Sequence, residues 1–422
     1  MTHTLLIANR GEIAVRIAST ARLMGIPTVG VYTPDDVTSL HVDTCDTAVE
    51  IPSYLDAEAV LDAGVKNGAT LVHPGYGFFA ESAEFAREVS DRGLTFVGPT
   101  SQALEAVGDK ERTKALAHTL GISVTRSTGL LNGDTGVAQA VQLLEESPDG
   151  IAIKAVAGGG GRGIRVVTNH NDVAQALSQC SDEARVGFGD DRVFAEQWVQ
   201  NARHVEIQAL GASTGVHIVG DRDCSLQRRR QKVIELAPAM LAENVRKELH
   251  DAARTLLEHV NYTSLATVEF LVTESGWYLM EVNPRIQVEH TVTECVTGLD
   301  LVELQLHQAM GTGGEISPTP AKKVAVQARV CAERFTEDGD IVPMTGTVEA
   351  FDAPHHAGVR VDTWIRSGTE VGTAYDSLLA KVICTGHDLD SALNNCERAL
   401  TRTQVRGVNT NVSFLQALIP YA

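Results

Sequence analysis

The chain has 422 residues, 43% of them hydrophobic, enough to pack cores in about two to four domains. Its formal net charge of −19 argues against a general nucleic-acid or anionic-membrane surface, and no run of roughly 18 apolar residues offers a membrane span. Seven scattered cysteines with no CxxC point to reduced thiols in a cytoplasmic protein, and Arg10 and Glu12 come too early for a signal-peptide core.

Residues 1–98 alternate strand and helix. TLLIAN (4–9), TVGVYT (28–33), ATLVHPG (69–75) and LTFVG (94–98) read as strands. Helical spacing of Ile13, Ile17, Ala21 and Met24, and helices near 57–67 and 82–92, fall between them. The alternation predicts an α/β unit with a parallel, doubly wound sheet, closed by Gly98-Pro99. A helical linker over 99–124 leads to a small α+β unit over 125–197, and 198–422 reads as mostly antiparallel.

The small unit holds AIKAVAGGGGRGIRVV (152–167), where two short apolar runs flank a glycine cluster. A hairpin turn needs one or two glycines, so four in a row read as a loop whose bare N–H groups close over phosphates, with Lys154 at its base. Gly158, Gly160 and Gly163 fit GxGxxG, but a strand follows where a dinucleotide fingerprint needs a helix, and no GK[ST] is present. The basic stretch RDCSLQRRRQK (222–232) supplies local positive charge in an acidic chain.

VEFLVTESGWYLMEVNPRIQVEH (268–290) reads as two strands around Glu274-Ser275-Gly276. A turn centred on Ser275 sets Glu269 opposite Glu281, a destabilising like-charge pair that a divalent cation would relieve. Glu281, Asn283, Arg285, Gln287 and Glu289 then alternate with Val282, Pro284, Ile286, Val288 and His290, so an extended segment presents five polar side chains on one face. Two carboxylates and an amide oxygen suit Mg²⁺ or Mn²⁺ with a phosphate substrate, Arg285 offers a fork for an oxyanion, and Glu289 a base. Together these features indicate a nucleotide-dependent ligase.

These segments, with IANRGEIAVRI, HPGYGFFAES, FVGP, GDK (108–110), RHVEIQ, RDCSLQRRRQKVIE, YDSLLAKV and GVNTNV, resemble biotin carboxylase, an ATP-grasp enzyme, from Ile7 to about Val412. The resemblance implies an N-terminal pre-ATP-grasp domain, a mobile lid and a C-terminal catalytic domain. It implies that Lys110, Lys154, His204 and Gln227 bind ATP with Gly158, Gly159, Gly160 and Gly161, and that Glu196 accepts from the adenine edge. Glu269, Glu281 and Asn283 would hold two Mg²⁺ or Mn²⁺ ions. Lys232, Arg285, Gln287 and Val288 would hold bicarbonate, with Glu289 taking its proton. Arg329 would stabilise the biotin enolate, and Tyr76 and Gly77 would line the biotin site.

The same resemblance implies biotin carried by a partner (a biotin carboxyl carrier protein), a carboxyltransferase subunit or domain, and a homodimer. Acetyl-CoA or another acyl-CoA is the expected final acceptor, as in fatty acid biosynthesis, with pyruvate or urea as the alternatives. Arg230 stands where the family has a ring, Ala157 where it often has glycine, and Leu236 where it has an acid. The chain also stops soon after GVNTNVSFL, short of a typical family domain. The rival readings are another ATP-grasp ligase and a catalytically silent scaffold.

Overall fold

The computed structural model describes residues 3–156, 163–314, 316, 322–336 and 340–422. The first sheet contains β1 (Leu5–Ile7), β2 (Thr28–Tyr32), β3 (Thr47–Glu50), β4 (Leu71–His73) and β5 (Thr95–Phe96), all parallel, in the order β3-β2-β1-β4-β5. β1 is apolar throughout because it is central and covered on both faces. The helix Gly11–Leu23 covers one face, burying Ile13, Ala14, Ile17, Ala18 and Ala21 at helical spacing. β3 was not legible in the sequence: as an edge strand reading TAVE, with both ends exposed, it carries no apolar run.

β6 (Ile151–Ala155), β7 (Ile164–Val167) and β8 (Val193–Gln197) form a three-stranded antiparallel sheet in the order β7-β6-β8. The two strands predicted to flank the glycine cluster do pair, Ala152 with Val166 and Lys154 with Ile164. Ala157, Gly158, Gly159, Gly160, Gly161 and Arg162 lie outside the described residues. Helices Gly133–Glu145 and Val173–Phe188 close a small core over this sheet, around Leu143, Leu144, Ile151, Ile153 and Cys180.

The large sheet has eight antiparallel strands. They are β9 (Arg203–Ala212), β10 (Gly215–Arg228), β11 (Gln231–Ala237), β12 (Ser264–Thr273), β13 (Gly276–Asn283), β14 (Val324–Cys331), then Val359–Thr363 and Leu378–Gly386. The helix Glu243–His259 buries Leu249, Ala253, Leu256 and Leu257 against β9 and β10. Between β10 and β11 the chain turns on Arg229 and Arg230, both in the left-handed region at φ 47° and 66°. Two consecutive left-handed residues make the tight turn that suits a twisted hairpin, at a steric cost that glycine would avoid. The turn brings Lys232 opposite Gln227.

Two expectations about residues 268–290 change. The hairpin turn lies between Glu274 and Ser275, since Thr273 pairs with Gly276, and that register alone would set Glu269 opposite Met280. A β-bulge between Phe270 and Glu269 shifts the count by one, so Glu269 does oppose Glu281. The strand then ends at Asn283, so the alternating polar face does not continue as a strand. Pro284 cannot donate to a ladder, and beyond it the chain turns at Val288-Glu289 into the helix His290–Thr297.

A Cβ added to Gly211 would lie 2.0 Å from the Tyr262 carbonyl oxygen and 2.9 Å from the Thr263 Cα, both backbone atoms that side-chain repacking cannot move. Gly211→Ala should therefore destabilise the β9–β12 pairing by about 1–3 kcal/mol, read as a lower urea midpoint with an unchanged slope. Wild-type stability in the variant would contradict this packing.

Candidate active site

A cavity of about 830 Å³ opens between the three-stranded sheet and the large one. At its floor the Lys232 ammonium, on β11, is shared by three carboxylates. It donates to Glu269 Oε1 at 3.0 Å, to Glu289 Oε1 at 2.9 Å, and to Glu206 Oε1. Glu206 and Glu269 pair across β9 and β12, and Glu289 arrives from the turn after β13. His204 Nε2 lies 2.6 Å from Glu269 Oε2, and its Nδ1 lies 2.7 Å from the Gln227 amide.

All three acids are buried, and burial alone would raise Glu269 and Glu289. Lys232 and His204 hold Glu269 well below the usual carboxylate range, and Lys232 and Arg329 do the same for Glu289. Lys232 is lowered by burial but lifted well above its ordinary value by Glu206, Glu289 and Glu269. Burial would lower His204, yet Glu269 raises it.

Arg329 sits beside this group. Its Nε donates to Glu235 Oε1 at 2.5 Å and its Nη2 to Glu289 Oε2 at 3.1 Å, so Glu289 joins Lys232 to Arg329 through its two oxygens. Asn283 Nδ2 and Gln287 Nε2 each donate to Glu269 Oε1 at 2.8 Å, and Asn283 Oδ1 accepts from Arg285 at 2.8 Å. Arg285 Nε also donates to Glu81 at 2.5 Å. Lys110 Nζ lies 2.5 Å from Glu281 Oε2. Lys154 and Lys114 both bind Glu196, which also accepts from Thr125.

All the expected site residues with described positions line this cavity except Gly77. Gly77 lines a neighbouring cavity of about 340 Å³ instead, where Arg10 lies between the rings of Trp364 and Tyr375. Tyr76 borders both cavities, and its hydroxyl donates to Glu12. Val288 lines the main cavity, and its carbonyl accepts from Lys381 at 3.1 Å. For a divalent cation the donor set fits: Glu269, Glu281 and Asn283 offer hard oxygens from facing positions of one hairpin, and Thr267 pairs with Asn283 beside them.

Among the polar residues of this site not singled out in the sequence are Glu206, Arg222, Glu235 and Lys114. Arg222 is fully buried and uses all five N–H groups, on Glu206, Gln208, Thr293, Thr267 and Gln287. Glu206 and Arg222 pair across β9 and β10. The available signal was the polar alternation of His204, Glu206 and Gln208 within RHVEIQ, in a strand that is otherwise apolar after Arg203.

Comparison with known proteins gives three family matches. They are "Biotin carboxylase, N-terminal domain" over residues 1–104, "Carbamoyl-phosphate synthase L chain, ATP binding domain" over 109–315, and "Biotin carboxylase C-terminal domain" over 327–421. The chain is 40% identical over 435 residues to the mitochondrial methylcrotonoyl-CoA carboxylase subunit alpha of Oryza sativa subsp. japonica, covering 98% of this chain and 57% of that one. It is 38% identical over 435 residues to pyruvate carboxylase of Bacillus subtilis, covering 98% of this chain and 37% of the relative. The chain thus spans little more than half, or less, of these curated relatives. Among solved structures it is similar to the biotin carboxylase domain dimer of Hydrogenobacter thermophilus 2-oxoglutarate carboxylase, in complex with MgADP, ADP and bicarbonate. That match has a TM-score of 0.93 at 35% identity and covers 100% of this chain and 94% of that one.

The Glu196 carboxylate gives a pH test. Burial would raise it, but Lys154 and Lys114 bring it from 4.5 down to about 2. A depressed carboxylate stabilises the fold above its unfolded pKa and loses that contribution as pH falls toward the folded value. Glu196→Gln should cost roughly 3 kcal/mol at pH 7. The gap from wild type should narrow as pH falls from about 5 to 3, followed by denaturant unfolding at each pH. A pH-independent gap would contradict the ion pairs.

Proposed function

The chain belongs to the biotin carboxylase family of ATP-dependent carboxylases, and we propose that it carboxylates biotin presented on a carrier protein or domain, using ATP and bicarbonate. The observation that carries the reading is Glu289, which binds Lys232 with one oxygen and Arg329 with the other. One carboxylate thereby joins the cation that would hold bicarbonate to the cation that would face the acceptor.

In this reading Lys110, Lys154, His204 and Gln227 bind ATP with the glycine loop 158–161, and Glu196 meets the adenine edge. Arg285, Lys232, Gln287 and Val288 place bicarbonate in line with the γ-phosphate. Mg²⁺ or Mn²⁺ held by Glu269, Glu281 and Asn283 would neutralise phosphate charge during transfer. A bicarbonate oxygen attacks the γ-phosphorus, ADP leaves, and Glu289 takes the bicarbonate proton, giving carboxyphosphate. Glu289 is a weak base while Lys232 and Arg329 both bind it, and it gains basicity as those cations turn to substrate.

Carboxyphosphate then splits into CO₂ and phosphate. The phosphate accepts the ureido N–H proton of biotin, Arg329 stabilises the charge left on the ureido oxygen, and the nitrogen attacks CO₂. Tyr76 and Gly77 border the acceptor.

We assign 1–98 to the pre-ATP-grasp unit, 99–124 to a linker, 125–197 to the lid and 198–422 to the catalytic part. The partners would be a biotin carboxyl carrier, a carboxyltransferase and a second copy of the chain, with an acyl-CoA as final acceptor. The support for the acceptor is the methylcrotonoyl-CoA carboxylase likeness, and the pyruvate carboxylase likeness supports the alternative. The seven free cysteines favour a reducing, cytoplasmic compartment, and no described helix is long and apolar enough to cross a membrane.

Phosphate release measured beside ¹⁴C transfer from bicarbonate to free biotin tests the assignment. Arg329→Ala should lose carboxylation by about 10²–10³-fold and keep slow bicarbonate-dependent ATP cleavage, whereas Arg285→Ala should lose both. Parallel loss in the two variants would place Arg329 in the ATP half. Glu281→Gln should fold and lose both activities at ordinary Mg²⁺, because an amide is a poorer ligand than a carboxylate. Wild-type rates in that variant would remove Glu281 from the metal site.

A further inference from the structure

Lys381 is fully buried, and none of the steps above uses it. It lies directly opposite Arg329 on the neighbouring strand, and Asp362 lies opposite it on the other side. Two cations side by side across a sheet repel, so each needs its own acids. Arg329 has Glu235 and Glu289. Lys381 has Glu12 Oε2 at 2.8 Å and Asp362 Oδ2 at 3.8 Å.

A buried lysine with two acids needs no further partner for its charge, yet Lys381 also donates to the Val288 carbonyl at 3.1 Å. The preceding carbonyl is held too: the buried His290 ring places Nδ1 2.6 Å from the Gln287 oxygen. Burial and the Lys381 charge push His290 well below its usual range, so the ring is neutral and donates there. Two consecutive carbonyls of the turn are thus gripped from behind, while Gln287 and Glu289 reach forward to Glu269 and Lys232. On its other side Lys381 holds Glu12, whose second oxygen accepts the Tyr76 hydroxyl.

We infer that Lys381 is a positioning residue that couples the two halves of the site, setting the Val288 turn on one side and, through Glu12, Tyr76 on the other. The inference rests on the proposed function, with bicarbonate at the Val288 turn and biotin beside Tyr76. Lys381 contacts neither substrate. It keeps the turn and the tyrosine in one frame, so that carboxyphosphate forms where the acceptor can use its CO₂.

The test compares wild type with Lys381→Met and Lys381→Gln, the latter keeping a neutral donor. Thermal unfolding, the bicarbonate KM of ATP cleavage, and the ratio of ATP cleaved to free biotin carboxylated are measured for each. In the methionine variant the bicarbonate KM should rise about tenfold, as for the loss of one charge-assisted hydrogen bond, and the ratio should rise several-fold. The glutamine variant should recover part of the KM and less of the ratio.

A merely structural lysine would lower Tm and kcat and leave KM and the ratio at wild-type values, which would overturn the inference. Failure of both variants to fold would also overturn it, assigning Lys381 to the fold alone. A wild-type chain that cleaves ATP with bicarbonate but leaves biotin untouched would refute the proposed function, and the bicarbonate KM would then decide on Lys381. Absence of both activities in wild type would end both readings.

Discussion

The rest of the structure depends on one ammonium group. Lys232 lies among Glu206, Glu269 and Glu289, all within 5% exposure, and no arrangement of three buried carboxylates is tolerable without a cation between them. One lysine cannot offset three acids, so the fold supplies more positive charge around it. Arg222 sits behind Glu206, Arg329 beyond Glu289, and His204 at the far oxygen of Glu269. Each of these cations comes from a different strand. The cluster therefore forms only when β9, β10, β11, β12 and β14 are all in register, and a slip of one residue in any pair would strand a buried charge.

The same constraint explains two features that look unfavourable in isolation. The β10–β11 hairpin turns on two left-handed arginines, and the β12–β13 hairpin carries a bulge. The tight turn puts Lys232 beside Gln227, and the bulge moves Glu269 to face Glu281. The large sheet also sets like charges directly opposite three times, Glu206 with Glu269, Glu269 with Glu281, and Arg329 with Lys381. In each case opposite charges from neighbouring elements offset the repulsion: Lys232 and Lys110 for the acids, and Glu235, Glu289, Glu12 and Asp362 for the cations. Local strain and local repulsion are offset by a network that spans the sheet.

Much of this was legible in the sequence, and the misses have physical reasons. The parallel sheet followed from apolar runs alternating with helical spacing, and the strands around the glycine cluster from their apolar flanks. The facing of Glu269 and Glu281 was read correctly from a turn centre that was wrong by half a residue, because a bulge is invisible in a polar–apolar pattern. The polar face of 281–289 was read as one strand, and Pro284 ends that strand while the side chains still converge. Glu206, Arg222, Glu235 and Lys381 were passed over because period-two patterning reveals which residues share a face. It does not reveal whether a polar face meets water or a second layer of charge. Gly77, expected beside Tyr76 from the resemblance, has φ 68° and lines the adjoining cavity that Tyr76 also borders.

Lys114, the other residue missed, bears on how the site would accommodate the proposed substrate. The cations assigned to the phosphates and bicarbonate are already paired: Lys110 with Glu281, Arg285 with Glu81, and Lys154 with Glu196. An entering anion would compete with those carboxylates, and the cost of release would decide which cation can move. Lys110 is 68% exposed and its acid 22%, so water can take over on both partners at small cost. Glu196 is only 7% exposed, and losing its sole cation would leave a buried charge unpaired, a change worth several kcal/mol. Lys114 and Thr125 would remove that difficulty, since both bind Glu196 Oε1 while Lys154 binds Oε2. In the proposed reading, the second lysine on one acid would free the first to follow a phosphate.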